Sequence, residues 1–163
     1  MEDSEISKTD EVPVSAEIPG KAEGKVGSPP RILVADDETD LRRLCVELLV
    51  DAGYEVTGVA DGAAGWEELQ LNDYDLVITD NKMPKMTGVE MLEKIRTAGM
   101  ALPVIMATGI IPTQIFSRQP WLQPDGMLER PFSDADLLDS VRKVLRREEN
   151  YNAHIRILLR GYL

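Results

Sequence analysis

The run Asp75-Leu76-Val77-Ile78-Thr79 is apolar and β-branched, and Asp80 ends it, with Pro84 closing the turn that follows. A carboxylate at this point is expected at a strand tip. Three other short apolar runs end in polar groups. Arg31-Ile32-Leu33-Val34-Ala35 precedes Asp36-Asp37-Glu38, Pro103-Val104-Ile105-Met106-Ala107 precedes Thr108, and Gly126-Met127-Leu128-Glu129 leads into Arg130. If these runs are parallel strands, all four polar clusters leave one edge of a sheet, where α/β sheets bind ligands. Asp36, Asp37 and Asp80 would then crowd together. Like charges so close raise one another's pKa or require a cation, and a hard all-oxygen site suits Mg²⁺. A carboxylate beside Mg²⁺ can attack a phosphoryl group, which makes Asp80 the candidate nucleophile. Thr108 and Arg130 supply a hydroxyl and a guanidinium for the outer phosphoryl oxygens. Each residue alone has an ordinary reading: Asp36 and Asp37 as helix caps, Thr108 bonded to its own turn, Arg130 as a surface cation. Together they point to phosphoryl transfer.

The elements that would place these groups follow a βα repeat. The patterns give strand 31–35, helix about 38–51, strand 55–59, helix about 62–70, strand 75–79, helix about 87–98 and strand 103–107. The first helix carries Leu41, Leu44, Cys45, Leu48 and Leu49 on one face, which is expected to pack on the sheet, and Gly53 ends it. Pro112, Pro120 and Pro124 leave only about 113–119 for a fourth helix, so that segment is expected to be short or irregular. A strand at 126–129 and a helix opened by Ser133, with Leu137, Leu138, Val141, Val144 and Leu145 as its buried stripe, complete the pattern to about Arg147. The fold class is α/β, a doubly wound five-stranded parallel sheet in the order 2-1-3-4-5.

Composition narrows the function. A net charge of −11, with 29 acidic against 18 basic residues, argues against a nucleic-acid surface. Cys45 is the only cysteine, which excludes an intrachain disulfide and suits a reducing compartment. His154 is the only histidine, which leaves no His metal cluster. No apolar run is long enough for a membrane span and the N-terminus is acidic, so a soluble, cytoplasmic protein is expected, with no membrane partner. Residues 1–29 lack aromatic residues and periodicity and read as a disordered acidic tail. Residues 148–163, with Tyr151, Ile155, Ile157, Leu158, Leu159, Tyr162 and Leu163, form an apolar C-terminal extension. It is expected to continue the last helix and dock on the same domain, with a homodimer or other partner contact as the alternative.

Through RILVADDE (31–38), DLVITDNKMPKMTG (75–88), VIMATG (104–109) and Arg130-Pro131-Phe132, the chain resembles the receiver domain of two-component response regulators over residues 31–147. The resemblance implies a flavodoxin-like fold and a signalling role rather than an enzymatic one. It makes Asp80 the phosphoacceptor, Asp37 a direct Mg²⁺ ligand, Asp36 a ligand through water, Lys82 the donor of a backbone carbonyl, and Thr108 the switch hydroxyl. The partners it implies are a histidine kinase or phosphotransfer protein upstream and another protein downstream. No effector domain is expected after the last helix. Two positions depart from the family pattern: Arg130 stands where Lys is usual, and Met127 where an aromatic residue is usual. Phosphorylation with an altered readout is the leading expectation. The alternative is a phosphorylation-independent interaction module. A small-molecule phosphohydrolase is disfavoured because Lys82 stands where a second acid would be needed.

Overall fold

The computed structural model describes residues 27–161. The acidic tail expected over 1–29 lies, up to residue 26, outside them, as do Tyr162 and Leu163. Five short apolar runs become strands β1 (Arg31–Ala35), β2 (Glu55–Val59), β3 (Leu76–Thr79), β4 (Val104–Thr108) and β5 (Gly126–Glu129). All pairings are parallel, in the order β2-β1-β3-β4-β5, as the patterns implied. β3 and β4 are buried at every position because helices cover both faces, whereas edge strand β5 alternates between half-buried and exposed.

Successive strand side chains point to opposite faces, so each strand feeds two cores. On one side Leu33, Ala35, Val77, Val104 and Met106 meet α2 (Gly62–Leu71) and α3 (Gly88–Thr97) through Leu69, Met91, Leu92 and Ile95. On the other, Ile32, Val34, Leu76, Ile78, Ile105 and Ala107 meet α1 (Thr39–Asp51) and α5 (Asp134–Arg160) through Leu49, Leu137, Val141 and Val144. α4 is a short helix, Thr113–Arg118, followed by a 3₁₀ turn at Pro120–Leu122; Phe116 and Leu122 anchor the pair in the first core. The prolines account for this break, since each removes a backbone donor and restricts the residue before it.

Two expectations are corrected. Leu41 and Leu44, assigned to the packed face of α1, are 37% and 57% exposed. Toward the N-terminal end of α1 they border a groove of about 200 Å³ against α5, lined also by Cys45, Phe132 and Leu137. The C-terminal extension continues the last helix as expected, but it does not dock on the domain. α5 runs unbroken for 27 residues, and residues 151–161 are exposed throughout. Ser133 opens it with a capping box, its hydroxyl accepting from the Asp136 amide while the Asp136 carboxylate accepts from the Ser133 amide.

Candidate functional site

β1 and β3 are neighbours, with Ala35 in register with Thr79, so Asp36 and Asp80 step off the sheet side by side. The Asp80 amide donates to the Ala35 carbonyl at 3.0 Å and the Asp36 amide to the Val59 carbonyl at 3.1 Å, which fixes both residues one step past their strands. Asp36, Asp37 and Asp80 present carboxylate oxygens that all lie within 4.8 Å of one another. Asp36 and Asp80 are buried and Asp37 is exposed. Neither Asp36 nor Asp37 caps α1; the flanking residue is Glu38, whose amide is accepted by Asp36 Oδ1 at 2.9 Å.

Arg130 enters from β5. Its backbone amide donates to the Thr108 carbonyl at 3.0 Å, tying the β4 and β5 tips together. Its guanidinium contacts the Asp36 carboxylate through Nη2 and stands 3.8 Å from Asp80 Oδ2 through Nη1. Thr108 is the last residue of β4 and is buried. Lys82 is exposed, two residues past Asp80 in the loop to α3. The structure therefore brings Asp36, Asp37, Asp80 and Arg130 into one pocket and sets Thr108 and Lys82 on the adjoining strand tip and loop.

Three carboxylates face one guanidinium, which leaves an excess of negative charge in a partly buried space. Oxygen-only donors with uncompensated charge are a set that a hard divalent cation satisfies. Asp36, Asp37 and Asp80 thus fit Mg²⁺ on the chemistry of the donors. The same surroundings act on Cys45 in α1: burial first, and then the Asp36 charge, push its thiol up to about 12.

Other residues hold the site without standing out in the sequence. Arg42 Nη1 donates to the Asp36 carbonyl at 2.6 Å. The Asn81 amide donates to Asp80 Oδ1 at 2.7 Å, and its side chain accepts from the Val89 amide at 3.0 Å, linking the loop after Asp80 to the start of α3. Gly88 approaches so closely that a Cβ there would overlap the Asp80 carbonyl. Between them, Lys85 adopts φ 66°, with the Met86 amide donating to the Pro84 carbonyl at 2.7 Å. Lys85 Nζ also pairs with buried Asp61 at 3.6 Å. Gly88 was the one member with a readable signal, a glycine directly after a capping threonine; the roles of Arg42 and Asn81 appear only once the chain is folded.

The chain matches the response regulator receiver domain family over residues 32–142. It is 33% identical to the response regulator receiver protein CpdR of Brucella abortus, covering 71% of this chain and 96% of that protein. It is 35% identical to the response regulator RppA of Synechocystis over 77% of this chain, and spans only about half of that longer protein, 54%. Among solved structures, a CheY-like response regulator receiver domain protein from Methanospirillum hungatei superimposes with a TM-score of 0.72 at 28% identity, covering 76% of this chain and 99% of that one. The response regulator TrrA of Thermotoga maritima, solved in complex with Mg²⁺-BeF, gives 0.62 at 30% identity over 71% and 98% of the two chains.

Proposed function

This chain belongs to the response regulator receiver domain family, and on that premise we propose that it accepts a phosphoryl group on Asp80 from a histidine kinase or phosphotransfer protein in the cytoplasm. The convergence of Asp36, Asp37 and Asp80 within 4.8 Å, with Arg130 among them, is the observation that supports this reading. A carboxylate oxygen of Asp80 attacks the phosphorus of the donor's phosphohistidine; the new P–O bond forms as the P–N bond breaks, and the imidazole leaves with its electron pair. Asn81 and Gly88 hold Asp80 at the pocket floor during this step. Arg130 and Thr108 take up the outer oxygens, the former by its paired N–H donors and the latter by its hydroxyl. Mg²⁺ held by Asp36, Asp37, Asp80 and the Lys82 carbonyl would neutralise charge on the phosphoryl oxygens.

Readout follows from Thr108 and Arg130 together, since both strand tips lead into segments that a partner protein can reach. Ile110, just past β4, is 82% exposed, and nearby Trp121 in the 3₁₀ turn and Met127 on β5 are 51% and 40% exposed. Engagement of Thr108 reorganises the loop toward short α4, and a downstream protein reads the change. Arg130 also favours a second reading, an interaction module that works without phosphorylation, because its guanidinium already partly neutralises the pocket.

Intact-protein mass spectrometry after incubation with acetyl phosphate and Mg²⁺ tests the proposal. One added phosphoryl group, absent in Asp80→Asn and absent without Mg²⁺, is expected. No addition, together with no NMR response to beryllofluoride, overturns it in favour of the interaction module.

A further inference from the structure

α5 is covered by the sheet only over its first turns, through Leu137, Val141 and Val144. The same face continues in alternating steps of three and four through Glu148, Tyr151, Ile155 and Leu158, with Leu159 beside it, which is the spacing of a two-helix seam. Tyr151, Ile155, Leu158 and Leu159 are 64%, 37%, 52% and 63% exposed. From Arg146 to Arg160 the helix projects about 20 Å past its last buried residue. A free helix of that length is marginal in water on its own, so its apolar stripe calls for a cover.

We propose that this projecting segment pairs in antiparallel fashion with the same segment of a second copy of the chain. Charge singles out the occupant and its direction. Beside the seam, Glu149 near its start and Arg156 toward its end complement each other when the segment is reversed, while Arg146 and Arg160 turn away from the seam. With the two helices crossing near Ala153, Glu149 of one copy comes level with Arg156 of the other on the same flank of the seam, and Tyr151 layers with Ile155. A parallel pair would instead stack Glu148 on Glu148 inside the seam and set two bodies of net charge −11 side by side. The antiparallel pair places those bodies at opposite ends and leaves both acid pockets open. Such an interface is isologous, as a two-fold dimer requires. It covers on the order of 1,000 Å² in total, the size at which a specific contact holds.

Sedimentation velocity on the full chain from about 10 to 200 µM tests this. A species of about twice 18.1 kDa is expected to grow with concentration. Ile155→Glu with Leu158→Glu abolishes it while circular dichroism stays native, since both side chains are exposed in the single copy. Glu149→Arg weakens association about tenfold, and adding Arg156→Glu restores it. The proposal is overturned by a monomer at every concentration, which would hand the stripe to a different protein. A dimer indifferent to the paired Glu substitutions, or a charge swap that restores nothing, overturns it equally.

Discussion

The Arg130 guanidinium lies against the Asp36 carboxylate, 94 residues away in the chain, and reaches Asp80 with its other arm. A fixed positive charge therefore occupies the same carboxylates that a divalent cation needs. Two cations sharing one carboxylate set repel, by several kcal/mol before screening at an effective dielectric of about 20. Arg130→Gln is expected to raise Mg²⁺ affinity about tenfold by calorimetry. Arg130→Lys keeps the charge but cannot bridge two carboxylates, so it should recover part of that gain. An affinity equal to wild type in both variants would show that the guanidinium does not compete.

Asp37 is the exposed member of the carboxylate set, and no ion pair reaches it among the described residues. Removing its charge relieves repulsion from Asp36 and Asp80. Asp37→Asn is expected to stabilise the metal-free protein by roughly 0.5–1 kcal/mol in urea titration. If Asp37 helps to hold Mg²⁺, as proposed above, that advantage should disappear in saturating Mg²⁺, because the variant binds the ion more weakly.

Gly88 has no room for a side chain, since a Cβ there meets the Asp80 carbonyl and Asn81 Cα. Gly88→Ala is expected to cost about 3 kcal/mol, the upper range for overpacking, and to slow acyl-phosphate labelling of Asp80 at permissive temperature. Unchanged stability would mean that the β3–α3 loop moves freely away from α3.

Asp61 caps α2, its carboxylate accepting from the Ala64 amide at 2.8 Å, and that bond, aided by Lys85, holds its pKa below the ordinary carboxylate value. A depressed folded-state pKa gives stability that is present above the unfolded value near 4 and is lost as pH falls through the folded one. Asp61→Asn keeps a capping oxygen without the charge. It should flatten the acid limb of the stability profile below about pH 4, whereas Asp61→Ala should also cost about 1 kcal/mol at pH 7.

The Cys45 thiol has the opposite sign. Its pKa rises to about 12 in the folded chain, so the native state holds a proton that the unfolded state releases from about pH 9. Stability from this group is full below pH 9 and declines between pH 9 and 12. Iodoacetamide at pH 8 should leave the native protein unlabelled and modify it once urea unfolds it.

Much of this was legible in the sequence because strands announce themselves twice, by an apolar run and by the polar residue that ends it. β1, β3 and β4 are such runs, and once the order placed β1 beside β3, Asp36 and Asp80 had to be neighbours. Periodicity says which face of a helix is apolar but not how far a neighbour extends along it. Leu41, Leu44, Tyr151 and Ile155 sit on apolar faces, yet α1 and α5 outrun what covers them. The Arg130 contact was equally hidden, because a long side chain at a strand tip has several reachable carboxylates and only the folded pocket selects among them.

The unbroken length of α5 has a mechanical consequence. Pro131, Phe132 and Ser133 are all that separate Arg130 from its first turn, and the helix is about 40 Å long. It is a lever with its fulcrum beside the acid pocket: a tilt of about 5° at Ser133 carries Arg160 through about 3.5 Å, so a small displacement beside Asp80 is magnified at the far end of the helix.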